Sequence, residues 1–224
     1  MKTNWLTGLM LSALTVFCAC RKQDEVYKEF INGGEITYAH KADSVRAHPG
    51  NNRIQLAWLR GPSPDVTQAK VYWNSRADSI EIAIPDGDKL DTVKVLIDDI
   101  DEGIYTFEVI TFDRMGNRSV AVDLLGTVYG DVYRSALRGR SVTASSDGST
   151  LLLIWSGGSE DLLGEEVYYQ TQEGPERKLF VRINEETSLL PDYRQGSAIR
   201  YRSLFRPDTL AIDTFYTDFE EVRP

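Results

Sequence analysis

One arrangement of large aromatic residues occurs twice in this chain, and it limits the possible fold more than any other feature. Trp58 lies 15 residues before Trp73, and Trp73 lies 32 before Tyr105. Trp155 lies 14 before Tyr169, and Tyr169 lies 32 before Tyr201. The surrounding stretches read alike: IQLAW (54–58) against LLLIW (151–155), VYWN (71–74) against VYYQ (167–170), YTFEV (105–109) against YRSLF (201–205). Self-similarity at a period of about 96 residues implies two copies of one folding unit, joined near Gly126–Gly130.

Within each copy the hydrophobic period is two. Arg53 to Trp58 places Ile54, Leu56 and Trp58 on one face, and Ala69 to Trp73 places Val71 with Trp73. Ser79–Ile84, Val93–Ile97 and Tyr105–Val109 continue the pattern, separated by GPSP (61–64), PDGD (85–88) and DRMGN (113–117). Short alternating runs with turn residues at this spacing predict an all-β sandwich or barrel, and no long stretch has helical periodicity. The expected domains are 36–128 and 129–224. Trp58, Trp155, Tyr105 and Tyr201 are the expected core aromatics.

The pattern resembles fibronectin type III domains, sandwiches of seven strands. There a tryptophan on the second strand is buried, and a tyrosine near the start of the sixth closes a corner by bonding to nearby backbone. Trp58 and Trp155 match the first feature, and Ile100–Tyr105 matches the second. Tyr201 matches it by spacing, although the approach from Leu190 is longer. The resemblance implies two tandem fibronectin type III-like (immunoglobulin-like) β-sandwiches.

The N-terminus reads as an export signal. Met1–Asn4 carries one positive charge, and Trp5–Ala19 is largely apolar and uncharged. That run is shorter than the roughly 20 residues of a membrane-spanning helix, and it suits the core of a signal peptide. Ala19-Cys20 at its end resembles the lipobox of bacterial lipoproteins. The resemblance implies cleavage after residue 19, a diacylglycerol on the Cys20 thiol, and a linker over 20–35. Cys18 follows bulky Phe17, a poorer acceptor site, and leaves with the leader. No cysteine then remains for a disulfide, a zinc-thiolate site or a nucleophile. Asp24-Glu25 soon after Cys20 resembles the surface-export signal of Bacteroidota lipoproteins, which implies display on the outside of the outer membrane, with its periplasmic face as the alternative. A narrower resemblance joins Glu29–Tyr38, His48–Trp58 and Val71–Asn74 to an uncharacterised family of Bacteroidota lipoproteins. Its members are often attached to, or encoded near, glycan-capture machinery. What this implies is a glycan or an outer-membrane uptake protein as partner.

The formal charge of −9 argues against nucleic acid or an anionic lipid surface as partner, since neither would be attracted. Chemistry is harder to find. The two histidines, His40 and His48, stand eight residues apart on an extended segment, with no hydrolase elbow, zincin helix or phosphate-binding glycine loop to support them. The densest carboxylates, Asp98–Glu102 and Glu165-Glu166, are expected in turns, where a small sandwich offers no deep cleft for a glycosidase pair. Asp86-Gly87-Asp88 and Asp98–Asp101 lack the spacing of a calcium loop. No enzyme activity, cofactor or metal is expected. Aromatics are the remaining lead, because sugars lay apolar CH faces on rings while polar neighbours orient their hydroxyls. Tyr72, Trp73 and Tyr168 are the candidate ligand-binding residues. Trp73 shares a face with Val71, which favours burial; with Trp73 inside, Tyr72 and, in the second copy, Tyr168 point outward. The loops 59–65 and 156–161 are equivalent by the repeat but polar. The expected function is therefore a non-catalytic, lipid-anchored envelope protein presenting a binding surface, with a structural adaptor or spacer as the alternative.

Overall fold

The structure, a computed structural model, describes residues 37–224 apart from 86, 89, 90 and 147–149. The expected export leader, Cys18, Cys20, the expected linker to residue 35 and Asp86 lie outside the described residues.

Seven strands build the first copy: β1 (Asp43–Pro49), β2 (Arg53–Leu59), β3 (Val66–Trp73), β4 (Asp78–Ala83), β5 (Thr92–Asp98), β6 (Gly103–Asp113) and β7 (Val122–Val128). They form two antiparallel sheets, β1-β2-β5 and β4-β3-β6-β7. Alternation makes the core. Ile54, Leu56, Trp58, Val95 and Ile97 come from the first sheet, and Ala69, Val71, Phe107 and Val109 from the second, into one buried cluster. The second copy repeats the plan with β8 (Ser141–Ser146), β9 (Leu151–Ser156), β10 (Leu162–Tyr169), β11 (Arg177–Arg182), β12 (Thr187–Leu190) and β13 (Ile199–Phe205). Its seventh strand is split into β14 (Phe215–Tyr216) and β15 (Glu220–Val222), both paired with β13. The sheets are β12-β9-β8 and β11-β10-β13 with these last two strands, closing on Leu151, Leu153, Trp155, Val167, Tyr169 and Tyr201. The molecule is all-β, of the fibronectin type III-like sandwich class, and Trp58 and Trp155 are both buried.

The two copies do not stay in step. Val71 opposes Val109, whereas Val167 opposes Tyr201. Tyr201 thus holds the place of Val109, not of Tyr105. The connection 183–186 is shorter than its counterpart 84–91, and the shortening from there to β13 outweighs a longer β10–β11 turn, 170–176 against 74–77. The Tyr105 hydroxyl donates to the Asp101 carbonyl at 2.9 Å and closes the corner of the first sandwich. Tyr201 instead packs against Trp155, ring centroids 5.4 Å apart, and donates to the Glu220 carboxylate at 2.7 Å. The corner bond of the second sandwich is made by buried Tyr193, whose hydroxyl donates to the Ser197 carbonyl. By the ladder, Tyr193 and Ser197 occupy the places of Asp101 and Tyr105.

Each sandwich is plugged by a buried arginine. Arg60 donates to the carbonyls of Pro85 (2.6 Å) and Gly87 (3.2 Å). Arg140 donates to those of Ile183 (3.1 Å) and Glu185 (2.9 Å) and forms an ion pair with Glu165. Burial pushes the Glu165 carboxyl up, against the pull of Arg140. Both members of this pair are removed from water, at 2% and 0% side-chain exposure, so each needs the other.

The copies are joined by a structured seam. The chain runs on past Gly126, which lies inside β7, where a β-carbon would come within 2.6 Å of Ile54 Cδ1. A short helix, α1 (Asp131–Ala136), follows, too brief to leave a helical period in the sequence. Its N-cap, Gly130, has no side chain to offer. Glu102 of the first sandwich supplies the missing acceptor, taking the N–H groups of Val132 (2.7 Å) and Tyr133 (2.8 Å). From the other side the β13–β14 connection reaches back to the β1–β2 turn. Asp213 accepts Arg53 Nε (2.8 Å) and Nη2 (2.6 Å) together with the Asn51 N–H (2.8 Å). Ile212 N–H donates to the Pro49 carbonyl at 2.8 Å. His48 Nδ1 lies 3.1 Å from the Leu210 carbonyl oxygen, so the two copies also meet at one of the chain's two histidines. Leu137, Leu162, Phe205 and Phe215 form a third apolar cluster against Tyr129 and Tyr133.

Candidate recognition face

Glu165-Glu166 lies in the middle of β10, not in a turn. Successive side chains of a strand point to opposite faces, so the two carboxylates part company. Glu165 enters the core side to meet Arg140. Glu166 takes the outer face, where it accepts Lys178 Nζ at 2.6 Å, Arg202 Nε at 2.9 Å and Arg202 Nη2 at 2.7 Å. Burial alone would raise the Glu166 carboxyl, and the Lys178 and Arg202 hydrogen bonds outweigh it and hold it low. The same contact raises Lys178.

Two residues further along, Tyr168 shares this outer face. Lys178 Nζ is 5.6 Å and the Arg200 guanidinium 5.8 Å from its ring centre, and Phe219 meets it edge-on at 5.6 Å. Arg202 lies 4.1 Å from the Tyr216 centroid and 4.9 Å from that of Phe219. Cations and rings therefore alternate across the sheet within cation–π range. Phe219 remains 46% exposed. A groove of about 310 Å³ opens beside it, between α1 and the sheet, lined in part by Asn51, Arg134, Arg202, Tyr216, Asp218 and Phe219.

The first sandwich carries a smaller version. Tyr72 faces outward between Lys70 Nζ (5.2 Å) and Arg76 (5.4 Å), which pair in turn with Glu81 and Glu108. Trp73 turns inward and packs against Phe107 at 6.4 Å, half-buried on the core cluster. The outer face of β6 and β7 carries an exposed apolar pair among polar residues: Ile104 and Leu125, 75% and 72% exposed, are diagonal neighbours through the pairs Ile104↔Thr127 and Thr106↔Leu125.

Of the three residues singled out in the sequence, Tyr72 and Tyr168 thus lie on outer faces, one on each sandwich. The sequence reading missed Arg200, Arg202, Tyr216 and Phe219. The signal for the arginines was present: in IRYRS (199–203) they alternate with buried Ile199, Tyr201 and Ser203. Tyr216 ends β14 and Phe219 lies in the break before β15, so neither follows such a period. Among the described residues no group of three His, Cys, Asp or Glu side chains is placed to hold a metal ion. None of the helices among them is long and apolar enough to cross a membrane.

Fold and site together define a tandem fibronectin type III-like sandwich protein. The chain belongs to the DUF4998 family, described as a domain of unknown function, whose model matches residues 20–215. Comparison with curated proteins gave no match. Similar solved structures include the FN1–FN3 domains of chicken CNTN1, with 10% identity and a TM-score of 0.46. That match covers 81% of this chain, which spans 63% of the other. A two-domain fibronectin type III segment from chicken tenascin has 12% identity and a TM-score of 0.32, with 83% and 100% of the two chains covered.

Proposed function

We propose that this chain is a non-catalytic recognition protein that presents the outer face of its second sandwich to a glycan. The supporting observation is the ring-and-cation array of Tyr168, Phe219, Arg200 and Arg202 on an open sheet face. Exposed rings supply surfaces for sugar CH groups, and ion-paired polar groups already fixed in place supply orienting hydrogen bonds at little further entropic cost. A lipid on Cys20 would hold this face at the outer membrane, where high local concentration lets weak contacts suffice. The test is binding of the detergent-solubilised chain to a broad glycan panel. Tyr168→Ala and Phe219→Ala should abolish a saturable signal without lowering the melting temperature by more than a few degrees. Binding that survives both substitutions would place the site elsewhere. Cys20→Ala should leave an unprocessed precursor without lipid label, and a normally lipidated product would remove the anchor.

A second reading, an adaptor for an uptake protein, is favoured by Ile104 and Leu125. Two large apolar side chains side by side on a sheet face suit a protein contact better than a sugar. Crosslinking in intact envelopes, with Leu125→Glu as the control, separates the two. An adduct lost in Leu125→Glu supports the adaptor, and one that persists rejects this surface.

A further inference from the structure

The groove beside Phe219 contains two guanidinium groups with donors to spare. Arg202 gives Nε and Nη2 to Glu166. Its Nη1 has no acceptor among the described residues, and its plane is held by Tyr216 and Phe219. Arg134, on α1, has an exposed side chain with no hydrogen-bond or ion-pair partner among the described residues, and it lines the same groove. The only carboxylate among the lining residues, Asp218, pairs with neither arginine. Elsewhere on this sheet face the cations are matched: Lys178 with Glu166, and Arg200 with Glu176 at 2.9 Å. Unused guanidinium donors are thus concentrated at one place, next to an exposed ring, in a space that fits about one sugar ring.

Building on the recognition reading above, we propose that this groove binds a carboxylate or sulfate carried by one residue of an otherwise neutral glycan. Two oxygens of either anion, a planar carboxylate or a tetrahedral sulfate, match the fork of a guanidinium, and Arg202 is pre-oriented for them by its aromatic neighbours. Arg134 closes on the same anion from the helix. Phe219 takes the apolar face of the sugar that bears it. The overall charge of −9 selects against dense polyanions, which the whole molecule repels. Sparse substitution is therefore part of the specificity: one anionic group enters the groove, and the neutral sugars on either side run over the ring array.

The experiment compares two pairs of polymers on the full chain in detergent: glucuronoxylan with its carboxyl-reduced form, and a sparsely sulfated galactan with its desulfated form. One charged member should bind about tenfold more tightly than its stripped counterpart. Which pair shows the difference identifies carboxylate or sulfate. Arg134→Ala should erase that difference while leaving binding of the stripped polymer unchanged, and Arg134→Lys should restore only part of it. The preference should also shrink at high salt. If charged and stripped forms bind alike and Arg134→Ala alters neither, the anion site is wrong and the glycan reading stands. If no member of a broad glycan panel binds the wild-type chain, the glycan reading fails first and this inference with it.

Discussion

Tyr105 and Tyr193 close the same corner of their two sandwiches from opposite ends of one hydrogen bond. Tyr105 reaches back to the carbonyl of Asp101. Tyr193, in the place of Asp101, reaches forward to the carbonyl of Ser197, in the place of Tyr105. What the fold keeps is the bond between two positions four residues apart; which position carries the ring is free. Removing the hydroxyls tests this. Tyr105→Phe breaks a bond open to water and should cost about 0.5–1.5 kcal/mol. Tyr193→Phe strips a carbonyl beside a buried ring and should cost more, about 1–3 kcal/mol. Urea denaturation measures both, and a neutral Tyr193→Phe would mean that Tyr193 is only a packing residue.

Trp58→Ala and Trp155→Ala should each destabilise by about 3–5 kcal/mol, as expected for a large aromatic lost from a core. Trp155 has an added tie, its indole N–H donating to Ser188 Oγ at 2.8 Å, so Trp155→Phe should be worse tolerated than Trp58→Phe. Calorimetry of the four variants decides it.

The buried Arg140–Glu165 pair predicts a non-additive double-mutant cycle. Glu165→Gln or Arg140→Met alone leaves one charge or its donors stranded and should cost about 3–5 kcal/mol. Arg140→Met with Glu165→Met removes both charges and should recover much of that loss. Additive losses would mean that the two side chains do not depend on each other.

Asp213 makes the seam sensitive to acid. The hydrogen bond from Arg53 holds its carboxyl below the usual carboxylate range, with the Asn51 N–H and the Arg53 charge acting the same way against burial. A group whose pKa falls on folding stabilises the fold above its unfolded value, about 3.9, and loses that contribution as pH falls through its folded value. The stability gap between wild type and Asp213→Asn should therefore be constant from neutral pH down to about 5. It should shrink below about 4 and vanish in stronger acid. A gap that grows as pH falls would refute the assignment.

Much of the architecture was legible because period-two alternation with buried tryptophans is imposed by the sheets themselves. Ile54, Leu56 and Trp58 can share a core only from one face of a strand. The register of the second copy was not legible, because spacing counts residues and the ladder counts pairs. A net shortening between β10 and β13 moved Tyr201 into the place of Val109 while leaving its distance from Tyr169 unchanged. Glu165 and Glu166 were misplaced for another reason. Two adjacent acids look like solvated loop unless Arg140, 25 residues earlier in the chain, is known to wait for one of them inside. Phe219 and Tyr216 carried no periodic signal at all, since the last strand is broken at residues 217–219, between β14 and β15.

Tandem sandwiches are usually beads that can be cut apart and restrung. Here the β13–β14 connection of the second copy spends its hydrogen bonds on the first, through Ile212 to Pro49 and Asp213 to Arg53, while Glu102 of the first copy caps the helix that begins the join. Each copy has surrendered part of its own surface to the other. The pair should therefore yield to mechanical pull as one unit, although its sequence repeats the pattern of a half.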